Sequence, residues 1–216
     1  MTDTFTDSLR AAAGPAWAAA TRHRFTADLA AGTLDPAVYA RYLVQDFAFI
    51  EALTSFVGAA VAAAPSMAEK QRLAGFLGVL TGGENDYFER SFAALGIAPE
   101  TWRNAAFAPV TRRLAGHLER AAAGGYDDIL AVLAAVEWVY LDWAADVADA
   151  RPAQFYFAEW IALHVDPGFR DFVGWMRAEL DRRGPALPPA RQDALRARFR
   201  RAIELEADFF DAAYGG

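Results

Sequence analysis

The stretch ILAVLAAVEWVYL, residues 129–141, constrains this chain more than any other part of it. Read at 3.6 residues per turn it is apolar on every face, and a helix with no polar side has to be surrounded by other helices. Strand alternation is rare elsewhere, Val and Thr runs are missing and alanine is very frequent, so helical periodicity dominates the remainder. The fold class that follows is all-α, with residues 129–141 at its centre. At 216 residues, 55% of them hydrophobic and 23% charged, the chain is long enough for one well-packed core. No linker, repeat or low-complexity tract divides it, so residues 1–216 read as a single domain.

Punctuation places the other helices. The first spans 7–31, with a break at Gly14-Pro15 and a stop at Gly32. Asp35 caps and Pro36 opens a second helix that runs to residue 64, before Pro65. Ser66 with Glu69 has the spacing of a capping box and starts a third, over 66–95, with a break or kink near Gly82-Gly83. Short helical pieces are expected around Trp102, over 109–123, 154–164 and 167–183. Asp127 and Asp128 start the central helix, and Pro188-Pro189 leads into a last one ending near residue 213.

Several function classes fall away on composition. The net charge is -7 and the densest basic stretch, Arg196 to Arg201, reads as the solvated face of a helix, which argues against a nucleic-acid partner. The absence of cysteine removes disulfides, Cys-based zinc sites and thiol catalysis. MTDTFTDSLR lacks the features of a signal peptide, and residues 129–141, interrupted by Glu137, are too short to cross a bilayer. A cytoplasmic protein without a membrane partner is the default expectation.

Three carboxylates stand out for their surroundings. Glu137 is the only charge between Asp128 and Asp142, and an unpaired buried carboxylate costs several kcal/mol, so it faces either a structural partner or a wet cavity. Asp46 sits beside Gln45 inside the apolar run YLVQDFAFI. Glu206 precedes Phe209 and Phe210 by three and four residues, so carboxylate and ring share a helix face. Asp46 bears that relation to Phe49, and Glu137 to Tyr140. With 13% aromatics the spacing alone arises by chance, as in Glu84–Tyr87; what singles out Asp46 and Glu137 is their apolar setting. Brought together, three such acids suit a flat, cationic or amide-bearing heterocycle, with rings to stack on it and carboxylates to bind its nitrogens and move protons. No metal is expected: the Glu-x-x-His pairs of a di-iron bundle are missing, and His23, His117 and His164 lie far apart in sequence. A helical His23 could serve as an axial haem ligand, although a lone helical histidine is more often surface or core. Trp17, Trp143, Trp160 and Trp175 read as core or subunit-interface residues.

WAAATRHRFTADLAAGTLDPAVYARYLVQDF resembles the N-terminal signature of the TenA/thiaminase II family, including the Gly32-Thr33-Leu34 turn and Tyr42-x-x-Gln45-Asp46. The resemblance continues through AVEWVY, through AEWIALH followed by a Phe, and through ELEADFFDAAY, in order and over nearly the whole chain. It implies a compact haem-oxygenase-like helical bundle, homo-oligomeric as a tetramer or dimer, that uses no cofactor. It also implies hydrolysis of thiamin or its breakdown products at the aminopyrimidine, releasing hydroxymethylpyrimidine for thiamin salvage.

By the same resemblance Asp46 matches the aspartate that binds the aminopyrimidine. Glu206 matches the glutamate that handles protons at the scissile bond, and Tyr140 and Phe209 match aromatic residues of the pocket. Val136 stands where many members carry a nucleophilic cysteine. Glu137 stands where a second branch, associated with aminomethyl- and formylaminomethyl-pyrimidine, carries a glutamate. Phe49, Leu114 and His164 replace pocket tyrosines and so remove hydroxyls that would meet the ring; Phe49 and His164 remain expected substrate contacts. The expectation is an aminopyrimidine C–N hydrolase with Glu206, Glu137 and Asp46 as its acids and bases. A non-catalytic heterocycle binder and an oxidase or oxygenase on the same bundle are the alternatives.

Overall fold

Every residue from 128 to 140 is buried, as the apolar stretch requires, and the helix that carries them, α9 (Tyr126–Asp146), is the centre around which the others pack. The computed structural model describes residues 4–215, the side chains of residues 83–85 aside. Those residues form helices and turns, with no strand among them. The order is α1 (Phe5–Ala13), α2 (Pro15–Thr21), α3 (Arg24–Ala31), α4 (Pro36–Ala63), α5 (Met67–Leu80), α6 (Gly83–Ala94), α7 (Pro99–Trp102), α8 (Pro109–Ala122), α9, α10 (Phe155–His164), α11 (Pro167–Arg183), a 3₁₀ turn (Gly184–Ala186) and α12 (Pro189–Ala212). α9 packs against α12, α11, α8, α10, α4 and α2, and residues from Phe5 to Ala213 share one contiguous hydrophobic core. Each large apolar side chain taken out of water there contributes roughly 1.5–3 kcal/mol.

The expected boundaries hold where capping chemistry sets them. The Asp35 carboxylate accepts from the Ala37 N–H at 2.7 Å ahead of Pro36, and Asp166 accepts from Gly168 at 2.8 Å ahead of Pro167. Gly32 ends α3 at φ 71°, a conformation that costs a side-chain-bearing residue 1–2 kcal/mol or so. The break at Gly82-Gly83 divides the third expected helix into α5 and α6.

The first expected helix differs, being three short helices rather than one broken once. A second interruption falls at Arg22-His23, where the imidazole Nδ1 of His23 accepts from the Phe25 N–H at 3.1 Å and caps α3. With Nε2 held at 3.1 Å from Asp211 Oδ1, both ring nitrogens of His23 are engaged, and the histidine is a helix cap rather than an axial ligand. The Ser66–Glu69 pair also departs from expectation. Ser66 caps the Ala68 N–H but its hydroxyl donates to the Glu69 side chain, whereas a full capping box forms at Thr4 and Asp7. Glu84, noted for its spacing to Tyr87, lies outside the described side chains.

α4 is the one described helix whose length and apolarity would suffice to cross a membrane, with a mean hydropathy of 1.5 over its best window. The 129–141 stretch is therefore not the chain's only long apolar segment. α4 nevertheless packs along α5 and α8 and turns a carboxylate, Asp46, inward, as a core helix does.

Candidate active site

A cavity of about 510 Å³ opens between α4, α5, α9, α10, α11 and α12, beside the midpoint of the central helix. Asp46 and Phe49 reach it from α4, Val136, Glu137 and Tyr140 from α9, His164 from α10, and Glu206 and Phe209 from α12. Leu114 of α8 closes one side. All three carboxylates singled out by their sequence setting thus meet at one place, though 91 residues of sequence separate Asp46 from Glu137 and 69 more separate Glu137 from Glu206. A pocket of this size, mostly apolar with a few convergent polar groups, has the character of a small-molecule site.

The neighbours Gln45 and Asp46 divide their labour by the helical turn. Gln45 faces the loop before α8, where its amide donates to the Ala106 carbonyl at 3.1 Å and accepts from the Ala108 N–H and the Thr111 hydroxyl, both at 2.7 Å. Asp46 faces the cavity. Glu206 and Phe209 are likewise buried on the cavity side of α12, while Phe210 stacks on Phe25 at 5.1 Å in the core behind.

Asp46 Oδ2 and Glu206 Oε1 are buried and have no hydrogen-bond partner among the described residues. Burial raises Asp46 to about 7, partly offset by a hydrogen bond from Tyr42, one turn earlier on α4. Burial, reinforced by the nearby charge of Asp46, raises Glu206 to about 8. Both acids therefore keep protons at a pH where ordinary carboxylates have lost them, and two acids displaced to neighbouring values can supply an acid and a base in one site. The Tyr42 and Tyr140 hydroxyls are hydrogen-bonded at 2.9 Å, and burial together with these acids pushes Tyr140 well above its ordinary value, so it stays a neutral donor.

His164 is buried against Tyr140 and Trp160, with ring centroids 4.8 and 4.4 Å away, and its Nδ1 lies 2.8 Å from the Trp160 carbonyl. Burial lowers its pKa to about 4, so the ring is neutral. His117, by contrast, sits in α8 with Nε2 at 3.0 Å from the Arg198 carbonyl and contributes nothing to the cavity.

Sequence reasoning missed the outer part of the site. Trp160, expected to be core or interface, lines the cavity, and its indole N–H is buried without a partner among the described residues. α5 and α11 form the mouth, where Phe76 stacks on Phe172 at 4.3 Å and Arg72 bridges to Asp171 at 2.7 Å. These residues carry no sequence signal: an aromatic on an amphipathic helix looks the same whether it closes a core or a cavity. Among the described residues no three His, Asp or Glu side chains are arranged to hold a metal ion.

The geometry accords with the comparisons. The chain is similar in structure to a TenA family transcription regulator from a Silicibacter species, with a TM-score of 0.88 at 24% identity over 98% of this chain and 97% of that one. A TenA homologue from Pyrococcus furiosus gives a TM-score of 0.88 at 20% identity, over 97% of this chain and 100% of the other. A candidate TenA-like thiaminase from Sulfolobus solfataricus gives 0.81 at 16% identity, over 97% and 95%. These likenesses establish the helical haem-oxygenase-like fold. No functionally curated protein matches the chain. The family model described as TENA/THI-4/PQQC matches residues 10–216, and the chain belongs to that family.

Proposed function

We propose that this protein is a cofactor-free hydrolase of an aminopyrimidine thiamin-breakdown product, converting aminomethyl- or formylaminomethyl-pyrimidine to hydroxymethylpyrimidine in thiamin salvage. The observation that carries the reading is the meeting of Asp46 and Glu206, two proton-holding acids with unpartnered oxygens, in one aromatic-walled cavity. An aminopyrimidine offers an acceptor ring nitrogen beside a donor amine. A carboxyl group that keeps its proton near neutral pH matches that pair, donating to the nitrogen and accepting from the amine. Asp46 takes this role, in the cavity that Phe49, Tyr140 and Phe209 also line.

Glu206 then gives its proton to the departing nitrogen. The bond between that nitrogen and the methylene carbon breaks, the amine or amide leaves neutral, and water supplies the hydroxyl that replaces it. The resulting Glu206 carboxylate accepts the proton that water loses, either directly or passed on by Glu137 after it activates the water, so the site returns to its starting state. The lack of any cysteine and the presence of Glu137 beside Val136 support the glutamate branch over one that attacks thiamin through a thiolate. The protein would act in the cytoplasm, without nucleic-acid or membrane partners, as a homo-oligomer, either tetramer or dimer; the partly exposed apolar length of α4 supports self-association.

The test is to incubate the protein with 4-amino-5-aminomethyl-2-methylpyrimidine, its N-formyl derivative and thiamin, and to follow hydroxymethylpyrimidine by chromatography. Turnover of the first two without thiamin is the expected result. Tight binding with no product would replace the hydrolase with a binding protein, and oxygen consumption would replace it with an oxidase.

A further inference from the structure

His164 holds its lone pair in a fixed place. The Trp160 carbonyl, 2.8 Å from Nδ1, can only accept a hydrogen bond, so Nδ1 carries the ring proton and Nε2 does not. The ring is clamped by aromatics on several sides, with Tyr140 and Trp160 nearest, and Trp143 and Phe169 at 5.9 and 5.3 Å. With the Nδ1 proton committed to the Trp160 carbonyl, Nε2 is the ring's acceptor. The imidazole nonetheless lines the cavity, where the ionisable groups nearest the chemistry are Asp46 from α4, Glu137 and Tyr140 from α9, and Glu206 from α12. Burial keeps the ring neutral down to about pH 4, so protonation does not turn the acceptor into a donor under ordinary conditions.

We infer that His164 selects the substituent on the bound ring: its Nε2 accepts a hydrogen bond from an N–H of that substituent, so the cavity takes primary amines and amides over groups whose nitrogen or oxygen carries no hydrogen. The inference rests on the aminopyrimidine reading of the cavity. With Asp46 occupied by the ring nitrogen and ring amine, the substituent supplies the remaining donor. A hydroxyl side chain at this position could give or receive a hydrogen bond and would tolerate either kind of group. An imidazole locked with its proton on Nδ1 can only receive. A buried acceptor left without its hydrogen is what makes such a site reject the wrong ligand. A quaternary thiazolium nitrogen, which has no hydrogen, falls on the rejected side, as does an ether.

Binding of 4-amino-5-aminomethyl-2-methylpyrimidine and of its 5-methoxymethyl analogue, which accepts but cannot donate at that point, separates the possibilities. Titration calorimetry in the Glu206→Gln background keeps the amine unhydrolysed, and His164→Phe and His164→Gln are added to it. With His164 present the aminomethyl ligand should bind at least about tenfold more tightly. His164→Phe, which keeps a ring among its aromatic neighbours, should bring the two affinities within about twofold, chiefly by weakening the amine. His164→Gln, whose amide oxygen can accept, should restore part of the preference. A preference absent from the histidine chain, or undiminished in the phenylalanine variant, overturns the inference while leaving the aminopyrimidine reading in place. So does a nitrogen NMR spectrum of the ligand-free wild-type protein showing Nε2 protonated. Failure of both ligands to bind wild-type and variant chains alike overturns the aminopyrimidine reading and this inference with it.

Discussion

At the scale of single residues, the site sets proton affinity against stability. Glu206 is held at about 8 because the folded chain buries it beside Asp46, whereas in an unfolded chain it would lose its proton near 4.5. Replacing it by glutamine removes the proton donor and keeps the shape. We expect Glu206→Gln to lower turnover of the aminomethylpyrimidine by about 10²–10⁴-fold, with an unchanged circular dichroism spectrum; near-normal turnover would remove Glu206 from the mechanism. The wild-type kcat/KM should fall as pH rises through about 7 to 8, where Asp46 and then Glu206 give up the protons the reaction uses. A pH profile that stays flat to pH 9 would assign the acid elsewhere. The composition of Asp46, Glu137 and Glu206 was legible in the sequence because each carboxylate interrupts or borders an apolar run. Trp160, Arg72 and Phe76 were not, since nothing in their local patterns distinguishes a cavity wall from a core.

At the scale of elements, what matters is how helices are seated so that their inward faces meet. The N-terminal end of α9 is anchored by Asp128, which is fully buried and paired with Arg191 and Arg198 of α12. Asp128→Ala removes the buried acceptor of two part-exposed arginines and should cost on the order of 1–3 kcal/mol, read as a lower midpoint in urea; a shift below about 0.5 kcal/mol would make the pair incidental. α1 docks by laying the Phe5 ring directly on Gly184, where a Cβ would come within 2.1 Å of Phe5 Cδ1. Gly184→Ala should therefore displace α1 and cost about 1–3 kcal/mol, and Phe5→Ala in the same chain should relieve part of that steric cost. The helix boundaries set by Asp35-Pro36 and Gly32 were readable because capping and backbone chemistry are local. The break at His23 was not, because a histidine cap has no sequence signature apart from the contact that fixes it.

At the scale of the whole molecule, the two raised acids set how stability depends on pH. Between the unfolded values near 4 and the folded values of about 7 and 8, the native chain holds protons that the unfolded chain has released. The contribution of these two acids to stability is therefore full below about pH 4 and is lost as pH rises to about 8, at about 1.4 kcal/mol for each unit by which a pKa is displaced. Denaturant midpoints for the ligand-free protein should fall over that range, and the doubly neutral Asp46→Asn, Glu206→Gln chain should be flatter and more stable above pH 8. A rise in wild-type stability over the same range would contradict the burial of these acids. The sequence by itself determined the helical class, the central place of residues 129–141 and the identity of the carboxylates that could not sit easily in a core. Those follow from periodicity, capping and the cost of burying charge, which act over a few residues. Only the tertiary structure decided that Asp46, Glu137 and Glu206 share one cavity, that Gln45 turns away from it, that α5 and α11 form its mouth and that His164 presents a lone pair. These depend on how distant helix faces rotate and pack against one another, which no short stretch of sequence encodes.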